Sequence, residues 1–265
     1  MKIKLIATDI DGTLLPEGTD QINAEIFDAV LRLKEKGVVF AGASGRQYYS
    51  MAHLFEPVKN DMIFIAENGA YVNCRGTDIL KCVMDREAVV RLVGKLREIP
   101  GGCITLNARD GFYVEDRDPH FLDLILNGYH NNVYQVEDVL AVDVDVIKVS
   151  LYMERDIEEQ AAFLMPQWED CFTGTIAGDI WLDFMCKGVN KGSALRSIQK
   201  TLSIRPEETM AFGDNLNDIE MLQSAGYSYA VGNAREEVKA AAKYVADTNV
   251  NDGVLKVLKA LLEEQ

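Results

Sequence analysis

The stretch KLIATDIDGTLLP (residues 4–16) decides how this chain is to be read. Residues 3–8 are a short apolar and β-branched run, the pattern of a strand buried on both faces of a parallel sheet. The run ends in two carboxylates, Asp9 and Asp11, followed by Gly12 and Thr13, where the chain can turn sharply. Buried carboxylates are costly unless paired, hydrogen-bonded or bound to a metal. Two of them at the end of the first strand need a reason.

Working outward, residues 23–36 place Ile26, Ala29, Val30 and Leu33 at helical spacing, and Gly37 stands where a C-terminal cap glycine belongs. VVFAGAS (38–44) predicts a second strand, RQYYSMAHLF (46–55) a second helix and MIFIAEN (62–68) a third strand. That alternation is the signature of an α/β domain with a parallel sheet. AYVNCRGTDILKCV (70–83) then predicts a hairpin about Arg75-Gly76-Thr77-Asp78. From residue 84 to 184 hairpins mix with helices. Helices are expected at 86–99, 119–130 and about 154–163, strands at 103–108, 111–116, 144–153, 171–177 and 180–185. The parallel pattern resumes with helix 191–202, strand 209–214, helix 217–225, strand 227–232 and helix 253–264. The expected organisation is an α/β core of residues 1–83 and 185–265, carrying an inserted α+β domain of residues 84–184.

Composition narrows the function. The 265 residues are 48% hydrophobic, enough for one large or two medium cores. A formal net charge of -15 disfavours a nucleic-acid partner, whose binding faces are basic. The acidic excess is expected on solvated helix faces. Five scattered cysteines with no CxxC pair, and three histidines without zinc spacing, suit a reducing compartment and exclude the common zinc motifs. No apolar run approaches the roughly 18 residues of a membrane span. Aspartate interrupts the apolar opening before a signal-peptide core could form. A soluble cytoplasmic protein with no membrane partner is expected.

Open α/β sheets bind ligands beyond the carboxyl ends of their strands. Those ends carry Asp9 and Asp11, then Ser44-Gly45-Arg46, then Glu67-Asn68-Gly69, then GDNLND with Asp214, Asn217 and Asp218. Lys191 sits at a loop-to-helix junction in KGVNKGSAL. Asp9, Asp11, Asp214 and Asp218 together would form a dense negative cluster that a divalent cation could compensate, and oxygen-only ligands suit Mg2+. The Ser44 hydroxyl, the amides near Gly45 and the Lys191 ammonium suit phosphate oxygens. One of the two spaced aspartates could attack phosphorus, and the other could move the proton. Taken singly, each piece has a plainer explanation: a helix cap for the acids or Asn217, a solvated surface position for Lys191. All four in this order do not.

With these elements, the sequence resembles the haloacid dehalogenase superfamily, and within it Cof-type phosphatases with a C2 cap. DIDGTL (9–14), ASGR (43–46), the Lys191 of KGVNKG (187–192) and FGDNLND (212–218) match the four motifs, and ENGA (67–70) and NDGV (251–254) look like this subgroup. The resemblance implies a Rossmann-like core, Asp9 as nucleophile and Asp11 as general acid/base. It implies Mg2+ held by Asp9, the Asp11 carbonyl and Asp214, with Asp218 acting through water. Ser44, the Gly45 amide, Lys191 and Asn217 would hold the phosphoryl group, and Arg46 is a candidate for the leaving group. The implied partner is a small-molecule phosphate ester: a sugar phosphate, or flavin mononucleotide or pyridoxal phosphate. In the insert, Trp181, Asn107, Arg109, Tyr113 and His120 are candidates to line a polar pocket. A phosphomutase, a non-catalytic phosphometabolite-binding protein and a phospho-aspartate signalling protein are the rival readings. The second aspartate and the insert count against the last.

Overall fold

The computed structural model describes residues 2–16 and 19–264. The chain divides into two compact units, Met1–Leu80 with Asn190–Gln265, and Lys81–Val189. The inserted unit so defined is slightly wider than the expected 84–184.

In chain order, the first unit begins with β1 (Leu5–Asp9), α1 (Ala24–Glu35), β2 (Val39–Ala43), α2 (Tyr48–Leu54), β3 (Ile63–Ala66), β4 (Tyr71–Cys74) and β5 (Thr77–Lys81). The second unit follows with α3 (Arg86–Leu96), β6 (Cys103–Asn107), β7 (Phe112–Val114), α4 (Pro119–Asp123), β8 (Val133–Gln135), β9 (Lys148–Tyr152), α5 (Ile157–Trp168), β10 (Phe172–Ala177) and β11 (Trp181–Cys186). The first unit resumes with α6 (Lys191–Leu202), β12 (Thr209–Gly213), α7 (Ile219–Gln223), β13 (Tyr227–Ala230), α8 (Glu236–Ala241), β14 (Tyr244–Val245) and α9 (Gly253–Glu264).

The first unit's sheet runs β14-β13-β12-β1-β2-β3-β4-β5. It is parallel from β14 to β3, and β4 returns antiparallel. All five residues of β1 are buried, as a central parallel strand requires. α1 covers the sheet with the expected stripe of Ile26, Ala29, Val30 and Leu33, capped by the Asn23 side chain on the Glu25 amide. β1 pairs with β2 on one side and β12 on the other, so Asp9, Ser44 and Asp214 arrive at one edge of the sheet. The second unit has its own sheet, β10-β11-β9-β6-β7-β8. One of its faces packs on α3 and α5 through Val89, Leu92, Leu151, Leu164 and Phe184.

Several local expectations needed correction. The hairpin turn is only Arg75-Gly76, both left-handed (φ 55° and 78°), so Thr77 and Asp78 already belong to β5. The helix expected over 119–130 is α4 alone, followed by a π-turn at Leu124–Gly128. α5 continues through Pro166, where a breaker rule would stop it. β8, α8 and β14 were not expected: α8 buries only Val238, and β14 is two exposed residues. Among the described residues, no helix is long and apolar enough to cross a membrane.

Candidate active site

Asp9 closes β1 and is buried. Its Oδ1 accepts from Lys191 Nζ at 2.5 Å, and the same ammonium reaches Asp218 Oδ1 at 2.7 Å. Lys191 is 1% exposed and opens α6, whose N-cap Asn190 forms a reciprocal capping box with Ser193. Asp218 Oδ2 accepts from the amides of Asp214 and Asn215 at 3.0 and 3.1 Å. Asp214 Oδ1 accepts from the Thr13 hydroxyl at 2.6 Å. Two glycines make this approach possible. Gly12 is left-handed (φ 82°), and a Cβ there would collide with the Asp214 carboxylate; a Cβ on Gly213 would collide with Asp218.

Three carboxylates thus face a single ammonium. Burial first, then the charge of Asp218, raise Asp9 well above the ordinary carboxylate range; Lys191 opposes them and Asp214 adds to them. Burial and Asp218 likewise push Asp214 up to about 7, against Thr13 and Lys191. Burial alone would lower Lys191, but Asp218 and Asp9 outweigh it and hold the ammonium charged. Asp9, Asp214 and Asp218 each offer an oxygen within 4.8 Å of the others. Asp9 Oδ2 is buried with no donor from the described residues. An all-oxygen, undercompensated set with one open oxygen fits a hard divalent cation such as Mg2+.

Asp11 lies outside that triad. Its carboxylate is gripped by the Arg46 fork, Nε to Oδ2 at 2.8 Å and Nη2 to Oδ1 at 2.6 Å. The Ser44 hydroxyl stands 3.5 Å from Asp11 Oδ2 and accepts from the Arg46 amide at 3.1 Å. Arg46, expected as a leaving-group contact, makes a bidentate ion pair with Asp11 in this structure. Asn217 donates to Asn68 Oδ1 at 3.0 Å, and the Asn68 side chain lies against Gly45. Asn68 has φ 53°, a left-handed conformation that asparagine tolerates better than most residues. It joins the Ser44 loop to the Asn217 loop. Sequence reading quoted Asn68 only as part of a motif; its signal was an Asn-Gly pair directly after a strand. The Thr13 hydroxyl, read only as part of a turn, also belongs to the site.

The candidates in the inserted unit are not gathered. Trp181 packs beside Tyr152 and Phe121, ring centroids 5.2 and 6.2 Å apart, and Asn107 shares its sheet face. Tyr113 lies on the opposite face, stacked on Tyr134 at 5.0 Å, with its hydroxyl donating to Asp110 at 2.9 Å. Arg109 and His120 are exposed.

A parallel sheet with paired aspartates at one strand end, a buried lysine and an acidic loop defines a phosphoryl-handling hydrolase of the α/β class. The chain belongs to the haloacid dehalogenase-like hydrolases, whose family profile matches residues 6–258. It is 30% identical over 266 residues to 5-amino-6-(5-phospho-D-ribitylamino)uracil phosphatase YbjI of Escherichia coli, covering 100% of this chain and 98% of that one. A solved structure from Eubacterium rectale is 37% identical with a TM-score of 0.87, covering 98% of this chain and 99% of that one. The subclass IIB sugar phosphatase BT4131 superposes with a TM-score of 0.85 at 27% identity, covering 97% and 98%. The protein is a phosphatase of this superfamily, and phosphorylated small molecules are its class of substrate.

Proposed function

We propose a Mg2+-dependent phosphomonoesterase working through an aspartyl-phosphate on Asp9. The observation that carries this reading is the Lys191 bridge to Asp9 Oδ1 and Asp218, beside an Asp9 Oδ2 that is buried and without a donor. Lys191 fixes the Asp9 carboxylate by one oxygen and leaves the other open. A carboxylate oxygen of Asp9 attacks phosphorus, and the alcohol departs with a proton from Asp11. Asp11, oriented by Arg46, then takes a proton from the water that attacks phosphorus, and inorganic phosphate leaves Asp9. The Ser44 hydroxyl, the Gly45 amide, Lys191 and Asn217 donate to the phosphoryl oxygens. Asp9, Asp214 and the Asp11 carbonyl, with Asp218 beside them, would hold Mg2+, which would supply positive charge where the phosphoryl group gains negative charge.

We read the inserted unit as the cap of the subclass. The relatives' substrates support a phosphorylated sugar, or a sugar-alcohol conjugate like that named for YbjI, as the ester. Five cysteines without a disulfide suit the cytoplasm. The test is phosphate release from a panel of sugar and sugar-alcohol phosphates, with Mg2+ and with chelator. Equal yields of inorganic phosphate and free alcohol, dependent on Mg2+, are expected. Full turnover in chelator would remove the metal from the account. Transfer of the phosphoryl group to another sugar hydroxyl would make the enzyme a mutase.

A further inference from the structure

Glu67, Asn68 and Gly69 follow β3 with φ of 51°, 53° and 97°, three left-handed residues in succession. Only the glycine adopts that conformation without a steric cost, so the surroundings hold the other two there. Glu67 and Asn68 are each 1% exposed. Three loops of the candidate active site pack on this turn. The Glu67 amide donates to the Arg46 carbonyl at 3.0 Å, and the Asn68 amide to the Ser44 carbonyl at 2.9 Å. The Asn68 carboxamide lies against Gly45, where a Cβ would stand 3.1 Å from its nitrogen. Asn217 Nδ2 donates to Asn68 Oδ1 at 3.0 Å. A Cβ on Gly69 would stand 2.4 Å from the carbonyl oxygen of Asn190, the residue that caps α6 ahead of Lys191.

Neither ordinary reason for an asparagine accounts for Asn68. A left-handed turn alone is served better by glycine, which has no Cβ to accommodate. A buried packing position is served by an apolar side chain, which has no polar group to desolvate. What the carboxamide adds is an acceptor placed on Asn217, and that bond fixes which way the Asn217 carboxamide is turned. A carboxamide carries two N–H donors at one end and an acceptor oxygen at the other. With its nitrogen on Asn68, Asn217 keeps a second N–H to donate. Rotated by half a turn, it would set its oxygen where that N–H stands, and an oxygen repels an anion.

We propose that Asn68 is a positioning residue for the phosphoryl group: its side chain turns the Asn217 amide donor toward the phosphoryl oxygens, and its backbone holds the Ser44–Gly45 loop beside it. The inference rests on the reading above that Ser44, the Gly45 amide, Lys191 and Asn217 contact that group. All four are referenced to one turn. Ser44 is bonded to the Asn68 amide, Gly45 and Asn217 meet its side chain, and Lys191 follows the Asn190 carbonyl that packs on Gly69. Backbone strain at such a turn is of the kind that gathers where a site must be held in one geometry.

The experiment compares wild type, Asn68→Gly, Asn217→Ala and the double variant in the full chain. Asn68→Gly keeps the left-handed turn and removes the carboxamide. The readouts are calorimetric binding of inorganic phosphate in Mg2+, steady-state hydrolysis of 4-nitrophenyl phosphate, and thermal melts. Asn68→Gly is expected to raise the phosphate Kd about fivefold or more and to lower kcat/KM about tenfold or more. The double variant should be no worse than Asn217→Ala, because the Asn68 side chain acts through Asn217. A phosphate Kd for Asn68→Gly within about twofold of wild type would overturn the proposal, whatever its unfolding midpoint. So would a loss in the double variant equal to the product of the two single losses, or a wild type that binds no phosphate. A raised Kd in Asn68→Gly that the double variant does not exceed beyond Asn217→Ala, with no hydrolysis by wild type, would sink the phosphomonoesterase reading while supporting the role of Asn68.

Discussion

Two of the buried polar assemblies of this molecule, one in each unit, are built by opposite means. In the first unit, Lys191, Thr13 and two backbone amides tie down Asp9, Asp214 and Asp218, and glycines at 12 and 213 let the loops close on them. In the second, the polar groups sit on alternate positions of separate strands, and the Thr105 and Ser150 hydroxyls have no hydrogen-bond partner among the described residues. The first arrangement suits chemistry common to every phosphomonoester, where small displacements are expensive in rate.

The comparison can be broken at its two buried lysines. Lys191→Met should abolish turnover, by about 10³-fold or more, since it removes both a phosphoryl contact and the tether on Asp9. It should also cost about 3–5 kcal/mol in chelator, because Asp9 and Asp218 lose their buried counter-charge. Urea denaturation with parallel phosphate-release assays reads both effects. Lys148→Met should lower stability too, by removing one side of the buried Lys148–Asp183 ion pair. Its turnover of 4-nitrophenyl phosphate per folded molecule should stay within a few-fold of wild type. Equal catalytic loss in both variants would erase the distinction drawn here.

A smaller effect lies outside both assemblies and has the opposite electrostatic sign to Asp9. Glu208 accepts from the Lys4 ammonium and the Arg205 amide, which lower its pKa to about 2. Because the folded value lies below the ordinary 4.5, its stabilisation is complete above that pH and is lost as pH falls toward 2. Wild type should therefore lose stability across that window slightly more steeply than Glu208→Gln in thermal melts. Identical slopes would remove Glu208 from the acid response.

These contrasts also explain what could be read from the sequence. The core announced itself because its chemistry sits in short contiguous runs at strand ends, where DIDGTL and GDNLND have few packing reasons to exist. The helix stripe of α1 and the all-buried β1 follow directly from periodicity. The polar face of the second unit was not legible. Its members alternate with apolar residues on strands separated by up to 70 residues, Thr105 to Thr175, and only the register aligns them. Asn107 and Tyr113 were both singled out in this sheet, and pleating places them on opposite faces. The grip of Arg46 on Asp11 was likewise invisible, since a guanidinium's partner is decided by side-chain reach. β8, α8 and β14 are too short or too exposed to leave a periodic trace.

The most direct test of the account is phosphate release from 4-nitrophenyl phosphate by wild type and Asp9→Asn, each with Mg2+ and with chelator. Release by the wild type only in Mg2+, and a loss of about 10⁴-fold or more in Asp9→Asn with no fall in its unfolding midpoint, is the predicted result. Substantial turnover by Asp9→Asn would contradict the assignment of Asp9 as the nucleophile.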